Sequence, residues 1–459
     1  MVDQKQIMLP ESRILVLDIP EKASLDVLPE QIRLAGTSQF NGILVPFYRE
    51  GYSFYPSRAA REQNLPAIKP DLRKKPDLFH QIFDQAFVSS LSVWAYIDPL
   101  RLGNKIRFPF RPFFKTRKKW ISLNKMRKPF PIGLSEKDSF VCLYNEDVRR
   151  FVTEIAVEIA EKFPIQGLIL DLSRYPHFSN NADTMSCFCD YCVKQIREEL
   201  SLDLQKILLE PNDSAFRCWK RWKNNRLFSF VEYVSSRVGK ARSGIPFFTI
   251  VPGALGNLHE TGVENRGEPS VWASEGLVSS LVTRYQKESP ARFFDKVDKD
   301  LSYLPDDILL TPFLMVDNLA ELSDCIEPLR DLPLSGFLLK LADPLTDGDA
   351  GKLSQGLFRN PSLEPLSDVF ASIRSLIRFI LDSSDRHSAL NSFLTEIHSY
   401  IQNEQNVTLE KNLSILEDLR TIEQKFKSGD LDAGFLPASA LRNISLIKKL
   451  FRTSIKMSR

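Results

Sequence analysis

Eight short apolar segments, rich in β-branched and aromatic residues, recur along the first three quarters of the chain. Near-continuous apolar runs are typical of strands covered on both faces, as in parallel sheets. Between most of them, apolar residues return every three or four positions, which is the pattern of amphipathic helices. Eight strands alternating with helices predict a (β/α)₈ TIM barrel over residues 12–345, with a doubly wound open sheet as the alternative. The segments are 13–20, 42–48, 91–98, 167–172, 245–251, 276–285, 307–315 and 336–343.

The pattern changes after about residue 360. Stretches such as "LSDVFASIRSLIRFILDSS" and "ASALRNISLIKKLFRTSIKMSR" are amphipathic helices with no strand-like segment between them. We therefore expect an all-helical C-terminal region over residues 360–459. This region would either pack on the barrel or mediate self-association, and it carries no recognisable catalytic motif.

Composition excludes several classes of protein. Of the 459 residues, 43% are hydrophobic and 26% are charged, as in an ordinary globular protein. A net charge of +3 is too small to indicate a nucleic-acid partner by itself. The N-terminus lacks the charged start and long apolar run of a secretory signal, and no apolar stretch approaches the length of a membrane span. We expect a soluble cytoplasmic protein without a transmembrane segment.

TIM barrels build their active site at the C-terminal ends of the strands, where the connecting loops converge. The predicted strand ends carry carboxylates for acid–base or nucleophilic work, arginines for hydroxyls or acidic groups and tyrosines for stacking, a mixture that suits a sugar. Asp171 stands out because Arg174 and Tyr175 follow it closely, although an aspartate at a strand end can also simply cap a helix. The candidate catalytic residues are Asp171, Asp98 and Glu50, and the candidate substrate-binding residues are Arg49, Tyr96, Arg101, Arg174, Tyr175, Tyr285, Lys340 and Asp343.

Several of these segments resemble one family. "GLILDLSRYP" resembles the strand-4 signature of the glycosyl hydrolase-like family 10 proteins, in which an apolar run and Asp are followed, after two residues, by Arg-Tyr-Pro. "NGILVPFYREGYSFYPS" is similar to the family's strand 2. "WAYIDPLR" is similar to its strand 3, with Asp98 where asparagine is usual. The resemblance covers about residues 12–345.

The resemblance implies a TIM barrel that acts on carbohydrate, in some members the glycan strands of the bacterial cell wall. Hydrolysis of a glycosidic bond normally needs two carboxyl groups, and the partner of Asp171 would be Asp98, Glu50 or Asp343. We therefore expect a glycosidase-like protein that hydrolyses or binds a polysaccharide. The alternative is an inactive barrel that serves as a binding or scaffold protein for an anionic polymer or a protein partner.

Three cysteines crowd into a C-x-C-x-x-C motif formed by Cys187, Cys189 and Cys192. Thiolates favour Zn²⁺, and their close spacing lets one turn present several ligands. A structural zinc ion would need a fourth ligand, for which Cys142, Cys218 and His177 are candidates; similar motifs in related sugar-hydrolase barrels can bind zinc. The alternative is a reduced cysteine cluster at the start of a helix. We predict no cofactor for catalysis itself.

Residues 105–130 follow the third predicted strand and should lie over the barrel mouth. They carry many Lys and Arg, no acidic residue and interleaved Phe and Trp. Such a segment could hold an anionic polymer or an anionic membrane surface. The alternative is a solvated loop whose aromatic side chains pack on the barrel or on the C-terminal helices. A nucleic-acid partner is less well supported, because no nucleic-acid-binding motif is present.

Overall fold

The computed structural model describes residues 8–19, 27–102, 116–128, 139–175, 185–208, 210, 213–257, 267–285, 288–383, 389–402, 407–428 and 438–457. Eight parallel strands close into a barrel in the order β1, β2, β4, β7, β8, β9, β10 and β11, and β11 pairs with β1 to complete it. The predicted TIM barrel is confirmed. The strands are Ser12–Val16 (β1), Gly42–Arg49 (β2), Tyr52–Ser53 (β3), Ser92–Asp98 (β4), Arg101–Leu102 (β5), Ser139–Phe140 (β6), Gly167–Asp171 (β7), Phe247–Pro252 (β8), Ser280–Arg284 (β9), Leu310–Val316 (β10) and Gly336–Leu341 (β11).

Helices alternate with the barrel strands and then continue alone. Short 3₁₀ turns occupy Pro70–Lys74, Lys118–Trp120 and Leu255–Asn257. The α-helices are Val27–Thr37 (α1), Arg58–Glu62 (α2), Leu78–Val88 (α3), Glu146–Lys162 (α4), Asp190–Leu200 (α5), Ser214–Ala241 (α6), Pro269–Ser274 (α7), Pro290–Ser302 (α8), Leu319–Leu329 (α9), Asp347–Gln355 (α10), Val369–Ser383 (α11), Ala389–Gln402 (α12), Leu409–Ser428 (α13) and Ala438–Met457 (α14).

Helix α4 shows how local sequence positions the strand that carries Asp171. The side chain of Asn145 caps the helix by accepting a hydrogen bond from the backbone N–H of Asp147 at 2.9 Å. Acidic residues occupy the first turn and Lys162 occupies the last, which suits the helix dipole. The apolar face of α4 is buried, and this packing fixes the helix that precedes β7.

Alternate residues of the strands point into the barrel or out towards the helices. The inward set includes Ile14, Trp94, Ile169 and Phe313 and is buried in one core with the C-terminal helices. Gly167 leaves room for this packing, since a Cβ atom there would lie 2.3 Å from the Trp94 ring. The outward set forms a second core under the surrounding helices.

Helices α11–α14 cover the amino-terminal end of the barrel. Ser12, at the start of β1, donates a hydrogen bond to Glu364 at 2.8 Å. Asp307, just before β10, is buried and forms ion pairs with Arg420 and Arg452 from α13 and α14. The predicted helical C-terminal region thus packs on the barrel at the end opposite the carboxyl-terminal strand ends. Self-association through these helices stays a prediction.

None of the helices in the described ranges combines the length and the apolar character needed to cross a membrane.

Candidate functional site

Asp171 is the last residue of β7, and its carboxylate is held at four points. Oδ2 accepts hydrogen bonds from the Tyr96 hydroxyl at 2.6 Å and from Nη1 of Arg284 at 2.8 Å. Oδ1 accepts from the backbone N–H of Ser173 at 2.9 Å and from its hydroxyl at 2.6 Å. Strands β4, β7 and β9 therefore bring their ends together around one carboxylate.

The Asp171–Arg284 pair is buried. The Asp171 side chain is 0% exposed and that of Arg284 is 12% exposed, with the guanidinium 4.5 Å from the centre of the Phe313 ring. Burial by itself would raise the pKa of Asp171. The positive charge of Arg284 and the hydrogen bonds from Ser173 and Tyr96 outweigh it, so the pKa lies below its usual value. Asp171 is therefore ionised at neutral pH.

Asp98 supplies a second carboxyl group beside the first. Ile97 of β4 lies opposite Leu170 of β7, so Asp98 and Asp171 take the next position on neighbouring strands, which lie about 4.8 Å apart. Asp98 is buried, and Oδ2 has no hydrogen-bond partner among the described residues. Burial first, and then the negative charge of Asp171, raises the pKa of Asp98 to about 7. Two neighbouring carboxyl groups with pKa values displaced in opposite directions can work as an acid and an anion.

A second group of charges lies at the ends of β1, β2 and β11. The carboxylate of Asp18 accepts from Nη1 of Arg49 at 2.7 Å and pairs with Nζ of Lys340 at 2.5 Å. Glu50 pairs with Nη1 of Arg101 at 2.9 Å. These side chains are partly exposed.

Eight of the eleven predicted site residues fall into two sets. The structure brings Tyr96, Asp98 and Asp171 together. Arg174 is exposed, and it lies close enough to both aspartates for its positive charge to lower their pKa values. Arg49, Glu50 and Lys340 lie at the neighbouring ends of β2 and β11, and Arg101 is the first residue of β5.

Three predicted residues lie apart from this cluster. The buried Tyr175 hydroxyl accepts from the backbone N–H of Leu143 at 3.2 Å, and the buried Tyr285 hydroxyl donates to Asp300 at 2.6 Å. Asp343 is exposed beyond the end of β11.

Sequence reasoning missed Ser173 and Asp18 as site residues. Arg284 stands at a predicted strand end, but only its neighbour Tyr285 is among the predicted substrate-binding residues. The period of two along β9 places Ser280, Val282 and Arg284 on one face and turns Tyr285 to the other. The same alternation in β1 would have pointed to Asp18, two residues after Val16.

Four cysteines meet behind the end of β7. The Sγ atoms of Cys142, Cys187, Cys189 and Cys192 all lie within 4.8 Å of one another, and all four residues are buried. Cys218 is exposed on α6, and His177 lies outside the described residues. Four thiols at this spacing are a donor set that could hold zinc in a closed site.

Half of the basic segment 105–130 falls outside the described residues, which resume at 116 and stop at 128. In this part, Trp120 is buried against Phe151, with ring centres 5.8 Å apart. Lys125 donates to the carbonyl of Ile207 at 2.9 Å, and Arg127 forms an ion pair with Asp190. One predicted aromatic residue therefore packs on the barrel.

Comparison with solved structures supports the fold assignment. The glycoside hydrolase domain of PgaB (BpsB) from Bordetella bronchiseptica aligns with a TM-score of 0.54 and 13% identity over 77% of this chain and 99% of that domain. The catalytic domain of the β-amylase from Paenibacillus polymyxa aligns with a TM-score of 0.51 and 11% identity over 77% of this chain and 100% of that domain.

A GH36 α-galactosidase, AgaA from Geobacillus stearothermophilus, aligns with a TM-score of 0.46 and 11% identity over 77% of this chain. The match covers 42% of that enzyme, so this chain spans less than half its length. No curated protein sequence gives a significant match.

The sequence profile of one family covers more than half of the chain and includes the ends of β2, β4, β7 and β9. It spans residues 17–308. The segments that resemble the family's strands 2, 3 and 4 lie inside this range and carry Asp98, Asp171 and their neighbours. This protein, a glycosidase-like barrel, belongs to the glycosyl hydrolase-like 10 family.

Proposed function

We propose that the protein binds a polysaccharide at the carboxyl-terminal mouth of the barrel and hydrolyses its glycosidic bonds with Asp98 and Asp171. One observation carries the proposal. Two buried carboxyl groups occupy matching positions on neighbouring strands, and their pKa values are displaced in opposite directions. This is the division of labour that glycoside hydrolysis requires, because one carboxyl group must be protonated while the other is charged.

In this proposal, protonated Asp98 donates its proton to the glycosidic oxygen as the bond to the anomeric carbon breaks. Ionised Asp171 stabilises the positive charge that develops on the sugar ring. Water then adds to the anomeric carbon and returns a proton to Asp98, which restores the starting state. Arg284, Tyr96 and Ser173 are positioning residues, since their hydrogen bonds fix the orientation of the Asp171 carboxylate.

The charged side chains around the cluster would bind the rest of the sugar. Arg49, Arg101 and Lys340 are each paired with one carboxylate and partly exposed, and Arg174 is exposed without an ion pair among the described residues. Guanidinium groups at such positions suit sugar hydroxyls or acidic substituents. The resemblance to the family, rather than these contacts, supports a polysaccharide as the ligand.

A second candidate function is carbohydrate binding without turnover. The Asp171 side chain has no exposed surface, and its four hydrogen bonds use its full acceptor capacity. A carboxylate enclosed in this way is also what a purely structural role would produce. The barrel would then serve as a binding protein or scaffold, and the cations of residues 105–130 would hold an anionic polymer.

Glycan cleavage is expected to decline as the pH rises through about 7, because Asp98 loses the proton that it must donate. The measurement is the release of reducing ends from bacterial cell-wall glycan fragments between pH 4 and 9. Asp298→Asn, an exposed aspartate on α8, serves as the control and should follow the wild-type profile. A rate that rises between pH 7 and 9 would contradict the role of Asp98. Retention of the glycan without any new reducing ends would establish the binding function instead.

A further inference from the structure

We propose that Cys142, Cys187, Cys189 and Cys192 bind one structural zinc ion and that this site fixes the segment following β7. The four sulfur atoms come from two separate parts of the chain, one just before α4 and one at the start of α5. Their mutual distances, all within 4.8 Å, allow one ion to contact all four. Cys142 therefore supplies the fourth ligand, in addition to the three cysteines of the C-x-C-x-x-C motif.

A buried lysine lies beside the cluster. Lys223 of α6 is 2% exposed, and Nζ lies 4.6 Å from the centre of the Trp219 ring. Its side chain lies near enough to Cys187 and Cys192 for a charge on either sulfur to act on it. A zinc ion with four thiolates carries a net charge of −2, and a neighbouring ammonium group offsets part of that charge in a buried site.

The cysteine cluster is joined directly to the segment that carries Ser173 and Arg174. The Tyr175 hydroxyl accepts a hydrogen bond from Leu143, the residue after Cys142. The Tyr175 ring also packs against Phe140 and Tyr144, with ring centres 5.8 Å and 6.5 Å away. Zinc bound here would hold the Cys142 segment in place, and through Tyr175 it would hold the turn after Asp171. The metal is thus a positioning element for the mouth of the barrel.

The test is the zinc content of the full-length chain, purified without chelator and measured by plasma mass spectrometry. We expect about one zinc per chain, and binding should release protons as the thiols ionise. Cys142→Ser should retain zinc at least about tenfold less well against a chelator, whereas Cys218→Ser should match the wild type. If Cys142→Ser does not fold, the wild-type protein still decides the matter. A chelator should raise the number of reactive thiols by four and lower the melting temperature.

Three results would overturn the proposal. These are a wild-type chain without zinc after reconstitution with Zn²⁺, a Cys142→Ser variant that retains the metal fully, and a disulfide among the four cysteines of the native protein. None of these measurements uses a glycan. Failure of the metal site and failure of the proposed hydrolysis are therefore distinguishable.

Discussion

Arg284→Met is expected to lower the free energy of unfolding by about 3–5 kcal/mol at pH 7. The substitution keeps an apolar side chain over Phe313 but removes the charge that compensates Asp171. Asp171 would then be a buried anion beside a second buried carboxyl group, Asp98. Urea denaturation of the two proteins measures the difference.

The loss should depend on pH in a defined direction. In the wild type, the pKa of Asp171 lies below its unfolded-state value, so Asp171 contributes stability above that value. This contribution is lost as the pH falls through the folded-state pKa. The difference between Arg284→Met and the wild type should therefore be largest near neutral pH and shrink as the pH falls below about 4. Arg174→Met is the matched control and should cost less than about 1 kcal/mol, because Arg174 is exposed. A variant as stable as the wild type at pH 7 would show that the ion pair does not stabilise the fold.

The barrel could be predicted from the sequence because its strands are nearly continuous apolar runs. The predicted segment 276–285 contains β9, but the strand begins only at Ser280, since Gly276 adopts a left-handed conformation with φ of 77°. The apolar runs also made the strand ends predictable to within a few residues. Apolar runs locate a strand, whereas its first residue depends on the turn before it.

The partners of the site residues could not be predicted, because they lie on strands that are distant in the chain. Asp171 and Arg284 are 113 residues apart, and only closure of the barrel brings them together. Cys142 and Cys192 are 50 residues apart, with their sulfur atoms 3.5 Å from each other. The pKa of Asp98 is likewise a property of the folded state, since it arises from burial and from the charge of Asp171.

Asp98→Asn is expected to lower kcat for glycan cleavage by about 100- to 10,000-fold, the usual contribution of a general acid.

The same change should stabilise the fold at alkaline pH. The pKa of Asp98 is raised to about 7, so the folded wild type keeps a proton that the unfolded chain releases from about pH 4 upwards. The contribution of Asp98 to wild-type stability therefore falls between these two pH values and is lowest above pH 7. Asparagine does not ionise, and the variant should be about 4 kcal/mol more stable than the wild type at pH 8 and nearly equal at pH 4.

This combination separates a catalytic role for Asp98 from a structural one. When a residue that only supports the fold is replaced, the protein loses both stability and activity. When a catalytic group that destabilises the fold is replaced, the protein loses activity but gains stability. The two measurements are reducing-end release at pH 6 and the urea midpoint at pH 4 and 8. Asp298→Asn, the same substitution on an exposed helix face, should change neither. Undiminished cleavage by Asp98→Asn would exclude Asp98 as the acid. A variant that is less stable than the wild type at pH 8 would mean that the folded protein needs the carboxylate itself, through a contact that asparagine cannot replace.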